Sequence, residues 1–324
     1  MTPPAFHEGE RAVQARVGVQ ERLAQIGPQV IRHFMPDQHR DFFEQLPWVI
    51  VGTLDADAQP WASVLVQAPG FIRSPDPQHL VLQAQPLAGD PLAANLAEGA
   101  PIGLLGITPH TRRRNRMNGV LHGVGAAGFT VEVSQSFGNC PKYIQAREPV
   151  HPGDRSGAAP VVHELLQLNA SARRIIAGAD TFFIATAYAG DSVQAGRAGG
   201  VDVSHRGGKP GFVRLDGDDV LTVPDFAGNY FFNTLGNLVV NPRAGLLFID
   251  FASGDLLYLA VTADIIWDGP ELASFAGAQR LMRFRVQSMR LVESSLPLRW
   301  GEAGLSPALQ GTGAWTQEPV PGPG

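Results

Sequence analysis

The chain is almost without cysteine: Cys140 stands alone, which excludes an intramolecular disulfide and fits a reducing compartment. It lacks any run of about 18 apolar residues, the least a membrane-crossing helix needs. Met1–Glu10 has no basic stretch followed by an apolar one, so no secretory signal is read there and the cytoplasm is the expected location. Charge is sparse as well. Charged residues make up 17% and the net charge is −5, so no polybasic footprint points to nucleic acid. There is no His-x-x-x-His or Cys-x-x-Cys spacing, and no structural metal is expected. Neither a Gly-x-Ser-x-Gly elbow nor a Walker loop occurs.

What is present is glycine and proline, 37 and 26 of them, which suit many short strands joined by tight turns. With 324 residues, 44% of them hydrophobic, the chain has room for two cores. Val13, Val17, Leu23, Ile26, Val30, Ile31 and Phe34 recur at helical spacing, so residues 1–46 read as a helical segment, broken at Gly27-Pro28 and again at Pro36. Strands are predicted at Trp48–Leu54, Trp61–Gln67, His79–Gln83, Ile102–Ile107, Met117–Val124 and Phe129–Val133. A short helix is predicted at Asp90–Glu98, with Asp90 as its cap. Glu148–Ala159 reads as a linker and Val161–Ala177 as a helix. Further strands follow at Thr181–Ala187, Val201–Ser204, Val220–Val223, Ala244–Phe251, Leu256–Trp267 and Arg283–Val292, with a helix over Asn229–Leu238. Residues 301–324 read as a loose tail. Helices do not alternate with strands, so the predicted class is mainly β with flanking helices (α+β), a closed barrel in each half.

One pattern occurs twice, over 47–147 and 180–300, with a linker and helix at 148–179. Each copy has a Pro-Gly-Phe corner (Pro69–Phe71, Pro210–Phe212) and a Gly-Leu-Leu strand (Gly103–Leu105, Gly245–Leu247). Superposing the corners sets Ser63 on Ser204 and Leu65 on Arg206. In the second copy Asp202, Ser204 and His205 lead into Arg206-Gly207-Gly208-Lys209. Glycines that admit a ligand to the backbone and two cations suit an anion such as a phosphate. The alternative is a solvated surface turn. Pro224-Asp225-Phe226-Ala227-Gly228-Asn229 ends the next strand, where Asn229 would cap a helix whose free N–H groups favour an anion. Arg112–Arg116 is the strongest cationic cluster and reads as a solvent-facing hairpin turn ahead of a phosphate site. Cys140 reads as an ordinary buried thiol. Phe212, Tyr230 and Trp267 are candidate apolar walls that also suit a core.

These motifs resemble the pyridoxamine 5′-phosphate oxidase-related, FMN-binding split-barrel proteins. The resemblance covers nearly all of Pro47–Trp300. It rests on Asp202–Phe212, Val223–Asn229, Asn241–Asp250, Arg112–Gly119 and Ser136–Gln145. It is nearest to the tandem-barrel subgroup, often fused ahead of a flavin and iron–sulfur reductase module. No such module follows up to Gly324. The resemblance implies FMN in the cleft between paired barrels. Ser204, Arg206, Gly207 and Lys209 would hold its phosphate and ribityl side. Pro224, Asp225, Gly228 and Asn229 would line the flavin, and Gln135, Ser136, Asn139 and Lys142 would supply the partner surface, from the first barrel or another subunit. Asp202 and His205 belong to the same cofactor-binding strand. Val64-Leu65-Val66 departs from the pattern, so one cofactor site per chain is expected. The basic strand and terminal arginines of true pyridoxamine-phosphate oxidases are missing save Arg299.

The resemblance therefore implies an FMN-dependent oxidoreductase acting on a small molecule. NAD(P)H or a separate reductase would supply electrons, and a homodimer is compatible with it. The alternatives are a flavin- or haem-binding protein without turnover and a cofactor-free scaffold.

Overall fold

The computed structural model describes residues 4–150, 159–188, 190 and 196–315, and only the backbone at 197. Three helices lead the chain: α1 (Glu8–Arg16), α2 (Gln20–Val30) and α3 (Asp37–Glu44). Pro28 lies within α2 rather than breaking it; the break falls earlier, at Val17–Val19. A proline near a helix end loses little, because its ring disturbs only the turn before it.

The first sheet comprises β1 (Trp48–Leu54), β2 (Pro60–Val66), β3 (Ile72–Asp76), β4 (His79–Leu82), β5 (Pro101–Thr108), β6 (Arg113–Gly125) and β7 (Gly128–Gly138), with the short α4 (Leu92–Asn95). Its order is β2-β1-β5-β6-β7-β4-β3. After β8 (Pro149–Val150), β9 (Val161–Leu165) and α5 (Ala170–Gly178) come β10 (Thr181–Ala187), β11 (Val201–Gly207), β12 (Arg214–Asp216), β13 (Val220–Phe226), α6 (Asn233–Val240), β14 (Arg243–Ile249), β15 (Leu256–Ile266), α7 (Pro270–Ala273), β16 (Ala278–Glu293) and β17 (Arg299–Trp300). The second sheet runs β11-β10-β14-β15-β16-β13-β12, the same order, with β9 added on β16. All pairings are antiparallel, and both orders are open paths. The protein is thus mainly β, and among the described residues neither strand order closes into a barrel. Among the described residues no helix is long and apolar enough to cross a membrane.

Side-chain alternation explains how the sheets meet. In β1, Val49 and Val51 enter the core of the first sheet, while Trp48 and Ile50 face the second. In β10, Phe182 and Ile184 enter their own core, while Phe183 and Ala185 face back. Strands buried on both faces need apolar residues at every position, hence the runs Trp-Val-Ile-Val and Phe-Phe-Ile-Ala. Gly103 and Gly245 let the backbones touch. A Cβ at Gly103 would lie 2.6 Å from the Val201 carbonyl oxygen, and one at Gly245 2.2 Å from that of Pro60.

Several sequence expectations are corrected. Val161–Leu165 is a strand, not the start of a helix; its β-branched residues pair with Met289–Glu293, and Asn169 caps α5 by accepting from the Ala172 N–H at 2.8 Å. The helix expected from Asn229 begins at Asn233. Phe232 takes a left-handed conformation ahead of it, and Asn229 accepts from the Phe231 N–H in a local turn. β3 and β12, short edge strands, escaped the pattern. The tail is held as far as Trp315: Ser306 N–H donates to Gln145 Oε1 at 2.8 Å and Trp315 Nε1 to the Phe212 carbonyl at 2.9 Å. Most of the expected linker, 151–158, and the end of the tail, 316–324, lie outside the described residues.

Candidate functional site

A cavity of about 110 Å³ opens where the two sheets meet, beside β11. The first half contributes Arg114 and Arg116 from β6 and the segment Asn139–Tyr143. The second contributes Ser204–Gly207, Pro224–Phe226, Gly228–Tyr230 and the start of α6. Gly207 is required there, since a Cβ would meet the Tyr143 carbonyl oxygen at 2.0 Å.

The Arg112–Arg116 run is not a solvent-facing turn. Arg112 makes the turn in a left-handed conformation, and the others extend along β6. Strand alternation then sends Arg114 and Arg116 to the cavity, while Arg113 stacks over Phe42 and donates to the Gln38 carbonyl. Arg116 is buried; it donates to Asp202 Oδ1 at 2.9 Å and to Ser204 Oγ. Arg114 is half-buried and bonds only carbonyls, Cys140 at 2.8 Å and His205 at 3.4 Å. No carboxylate lies within ion-pair distance of it among the described residues. Enclosure, with Arg116 and Arg206 nearby, pulls its guanidinium down to about 10. Arg206 is paired with Asp225, which also faces Arg280 at 3.6 Å.

Three buried donors of cavity-lining residues have no acceptor among the described residues: Arg116 Nε, Arg206 Nε and Asn139 Nδ2. Buried donors are rarely left so, and with the arginine cluster they make this wall rich in hydrogen-bond donors, a lining whose chemistry suits an oxygen-rich anion. His205 is buried on the same wall; burial, then Arg114 and Arg206, push its imidazole well below the usual value and hold it neutral. Behind the wall, Glu10 of α1 accepts from His7 N–H and Asn233 Nδ2. Burial, then Asp202, raises its carboxyl well above the usual range. Tyr143, Phe226, Tyr230 and Phe232 are also among the lining residues. Tyr143 and Phe226 lie 5.0 Å apart, and Tyr143, Tyr230 and Phe232 all adopt left-handed backbone conformations.

Of the residues expected at the site, Ser204, His205, Arg206, Gly207, Pro224, Asp225, Gly228, Asn229, Asn139 and Lys142 line the cavity. Four do not. Lys209 Nζ donates to the Thr312 carbonyl at 2.6 Å. Asp202 lies one layer behind, bound by Arg116, Asn118 and Asn237. Gln135 accepts from Asn118 Nδ2, and Ser136 Oγ shares a 2.9 Å hydrogen bond with His39 Nδ1. Cys140 is half-buried and lines the cavity rather than sitting in a core. Of the candidate walls, Phe212 and Tyr230 line it, and Trp267 lies under Arg16 and Arg280. Arg114 and Arg116 were read as part of a turn with a phosphate site as the alternative, and Tyr143, Asn233 and Thr234 were not among the expected site residues; the signal for the arginines was the alternation of β6. Among the described residues no three His, Cys, Asp or Glu side chains group to hold a metal.

No family model and no curated protein matches the chain. Solved structures resemble parts of it. One is a Lactobacillus delbrueckii protein assigned as a pyridoxamine 5′-phosphate oxidase: 14% identity, TM-score 0.31, covering 39% of this chain and 97% of that one. A second is a FAD-binding protein of Mesorhizobium loti: 12% identity, TM-score 0.28, covering 42% and 99%. A third is the heme storage protein HutZ of Vibrio cholerae: 14% identity, TM-score 0.25, covering 44% and 99%. Likenesses this low carry no argument about what this chain binds or does.

Proposed function

We propose that this chain binds flavin mononucleotide between two split β-barrels, residues 47–147 and 180–300, and acts as an FMN-dependent oxidoreductase on a small molecule other than pyridoxamine phosphate. One observation carries the reading: Arg114, Arg116 and Arg206 converge on one cavity with Asn139, and among the described residues Arg114 has no carboxylate partner and Arg116 Nε, Arg206 Nε and Asn139 Nδ2 have no acceptor. Such a cluster is costly unless an anion completes it. The donor set fits a phosphate monoester. The enclosed 110 Å³ is below the roughly 300–1,000 Å³ of whole-ligand pockets, so it accounts for the phosphate end and not the ring system.

When bound, the flavin would supply the electron and hydride chemistry. The chain's part is to hold and orient. Arg114, Arg116 and Arg206 neutralise the phosphate, and Asn139 Nδ2 adds a donor. Tyr143 and Tyr230 screen the mouth from water. Lys142, exposed at the rim, adds long-range attraction. Electrons would come from NAD(P)H or a separate reductase.

A second reading, an anionic cofactor held without turnover, is favoured by the cavity wall, where, among the described residues, His205 is the one imidazole and burial holds it neutral.

The test is a titration of the purified protein with FMN, followed by flavin fluorescence, after its absorption spectrum is recorded. Arg206→Leu, which copies Leu65, is expected to weaken binding by ~1.5–3 kcal/mol. Undiminished affinity in that variant would remove the site from this cavity. Reduction of the bound flavin by NADH or NADPH, followed by turnover of an acceptor, separates the enzyme from the carrier.

A further inference from the structure

The cavity holds an anion of its own. Asp225, on β13, is buried, and its Oδ1 accepts from Arg206 Nη1. Its cross-strand neighbour on β16 is Arg280, also buried, whose Nη1 stands 3.6 Å from Asp225 Oδ2. That is an ion pair but too long for a hydrogen bond. Arg280 Nε and Nη1 have no hydrogen-bond partner among the described residues, and the guanidinium rests over the rings of Phe232 and Trp267. Two guanidiniums therefore share one carboxylate unequally. Arg206 has the bond, and Arg280 has idle donors within about an ångström of taking it.

We propose that Asp225 is the specificity-determining residue of this site: it occupies Arg206 as a built-in competitor, and a phosphate monoester dianion displaces it, Arg280 then receiving the released carboxylate. The inference rests on the anion-binding reading above. A buried carboxylate cannot be left unpaired, so Arg206 turns to an incoming anion only if Asp225 keeps a cation. Arg280 is already placed to be that cation. The incoming anion must also outbid a carboxylate that needs no desolvation. A monoanionic carboxylate offers Arg206 nothing Asp225 does not. A phosphate dianion brings a second charge and further oxygens, which face Arg114 and Arg116 at the same time. Selection against small carboxylates is thus achieved by competition from within, not by shape.

The experiment compares inorganic phosphate and acetate as ligands of the full chain, by calorimetry, in the wild type, Asp225→Asn and Arg280→Gln. The wild type is expected to bind phosphate in preference to acetate. Asp225→Asn should bind phosphate about tenfold more tightly or better, acetate gaining still more so that the preference falls. Arg280→Gln should bind phosphate more weakly, because Asp225 keeps Arg206. A folded Asp225→Asn that binds phosphate no more tightly than the wild type would overturn the proposal, because the carboxylate would then not compete. Should that variant not fold, the arginine Nε–H resonances of the wild type decide. Phosphate should move those of both Arg206 and Arg280, and a still Arg280 signal overturns the exchange. Phosphate selectivity that follows this pattern in a protein that does not bind FMN would sink the flavin reading alone. FMN binding with unaltered selectivity in Asp225→Asn would sink the exchange alone.

Discussion

The two halves present the same backbone to each other and fill it differently. Arg116 on β6 and Tyr258 on β15 both pair with the second leucine of a Gly-Leu-Leu strand, and each reaches into the opposite half. Arg116 meets Asp202 and Ser204; Tyr258 donates to Asp90 at 2.9 Å. Two residues earlier, Arg114 corresponds to Leu256, which is fully buried among apolar neighbours. Superposing the Pro-Gly-Phe corners places Leu65 and Ala84 where the second half has Arg206 and Asp225, and both are core residues. One cleft became an arginine-lined cavity. Its counterpart became packing around a single carboxyl, Asp90, which burial raises from its ordinary value. What separates them is side-chain charge and volume at four positions. What unites them is glycine at the contact, Gly103 and Gly245.

That contact can be broken directly. Gly245→Ala would place a Cβ against a backbone oxygen that has nowhere to go, and a loss of more than about 4 kcal/mol in chemical denaturation is expected. Gly103→Ala, with 0.4 Å more clearance (2.6 against 2.2 Å), should lose less. Wild-type stability in Gly245→Ala would mean the halves do not meet by their backbones.

Acid probes the comparison next, because each half buries an imidazole. Burial, then Arg32 and Arg113, lowers His39 of the first half from 6.5 to about 4, and His205 of the second is lowered well below 6.5. The sign follows from proton uptake. Between pH 6.5 and about 4 the unfolded chain accepts a proton that the folded His39 refuses. Stability is therefore full above 6.5 and falls as the pH drops through that window, by on the order of 3 kcal/mol at its lower end for His39 alone. His39→Gln should flatten part of the slope of unfolding free energy against pH and leave the share of His205. An unchanged slope would show that the first-half imidazole titrates normally.

The smallest effect concerns the filled cleft. Tyr258→Phe removes one donor from Asp90, which keeps the N–H groups of Leu92 at 2.8 Å and Val64 at 3.4 Å. About 1 kcal/mol of stability should be lost, with FMN affinity unchanged. A fall in flavin binding in this variant would show that the two clefts are not independent.

Much of this was legible in the residues. Continuous apolar runs such as Trp48–Val51 announced strands; that both faces are buried came from the meeting of the sheets. The Arg206-Gly207 loop and Pro224–Asn229 were marked as neighbours at one site, and both line the cavity. Other assignments failed where distant partners intervened. Lys209 looks like a phosphate ligand in sequence, but the C-terminal segment passes beside it and the Thr312 carbonyl accepts its hydrogen bond. Val161–Leu165 had a helical reading until β16 offered it an edge to pair with. Arg112–Arg116 was ambiguous because a charge run in a turn and a charge run along a strand have the same spelling.

Strand alternation, turn glycines and the unequal charge of the two copies are properties of short stretches of chain. They hold whatever the rest does, since a side chain's facing depends on its immediate backbone. The cavity has no such local cause. Its arginines come from strands about ninety residues apart, as the Arg114–His205 and Arg116–Ser204 bonds show. Whether such a side chain ends in solvent, in an ion pair or facing a pocket depends on which distant group arrives beside it, and that is settled by how the two sheets pack.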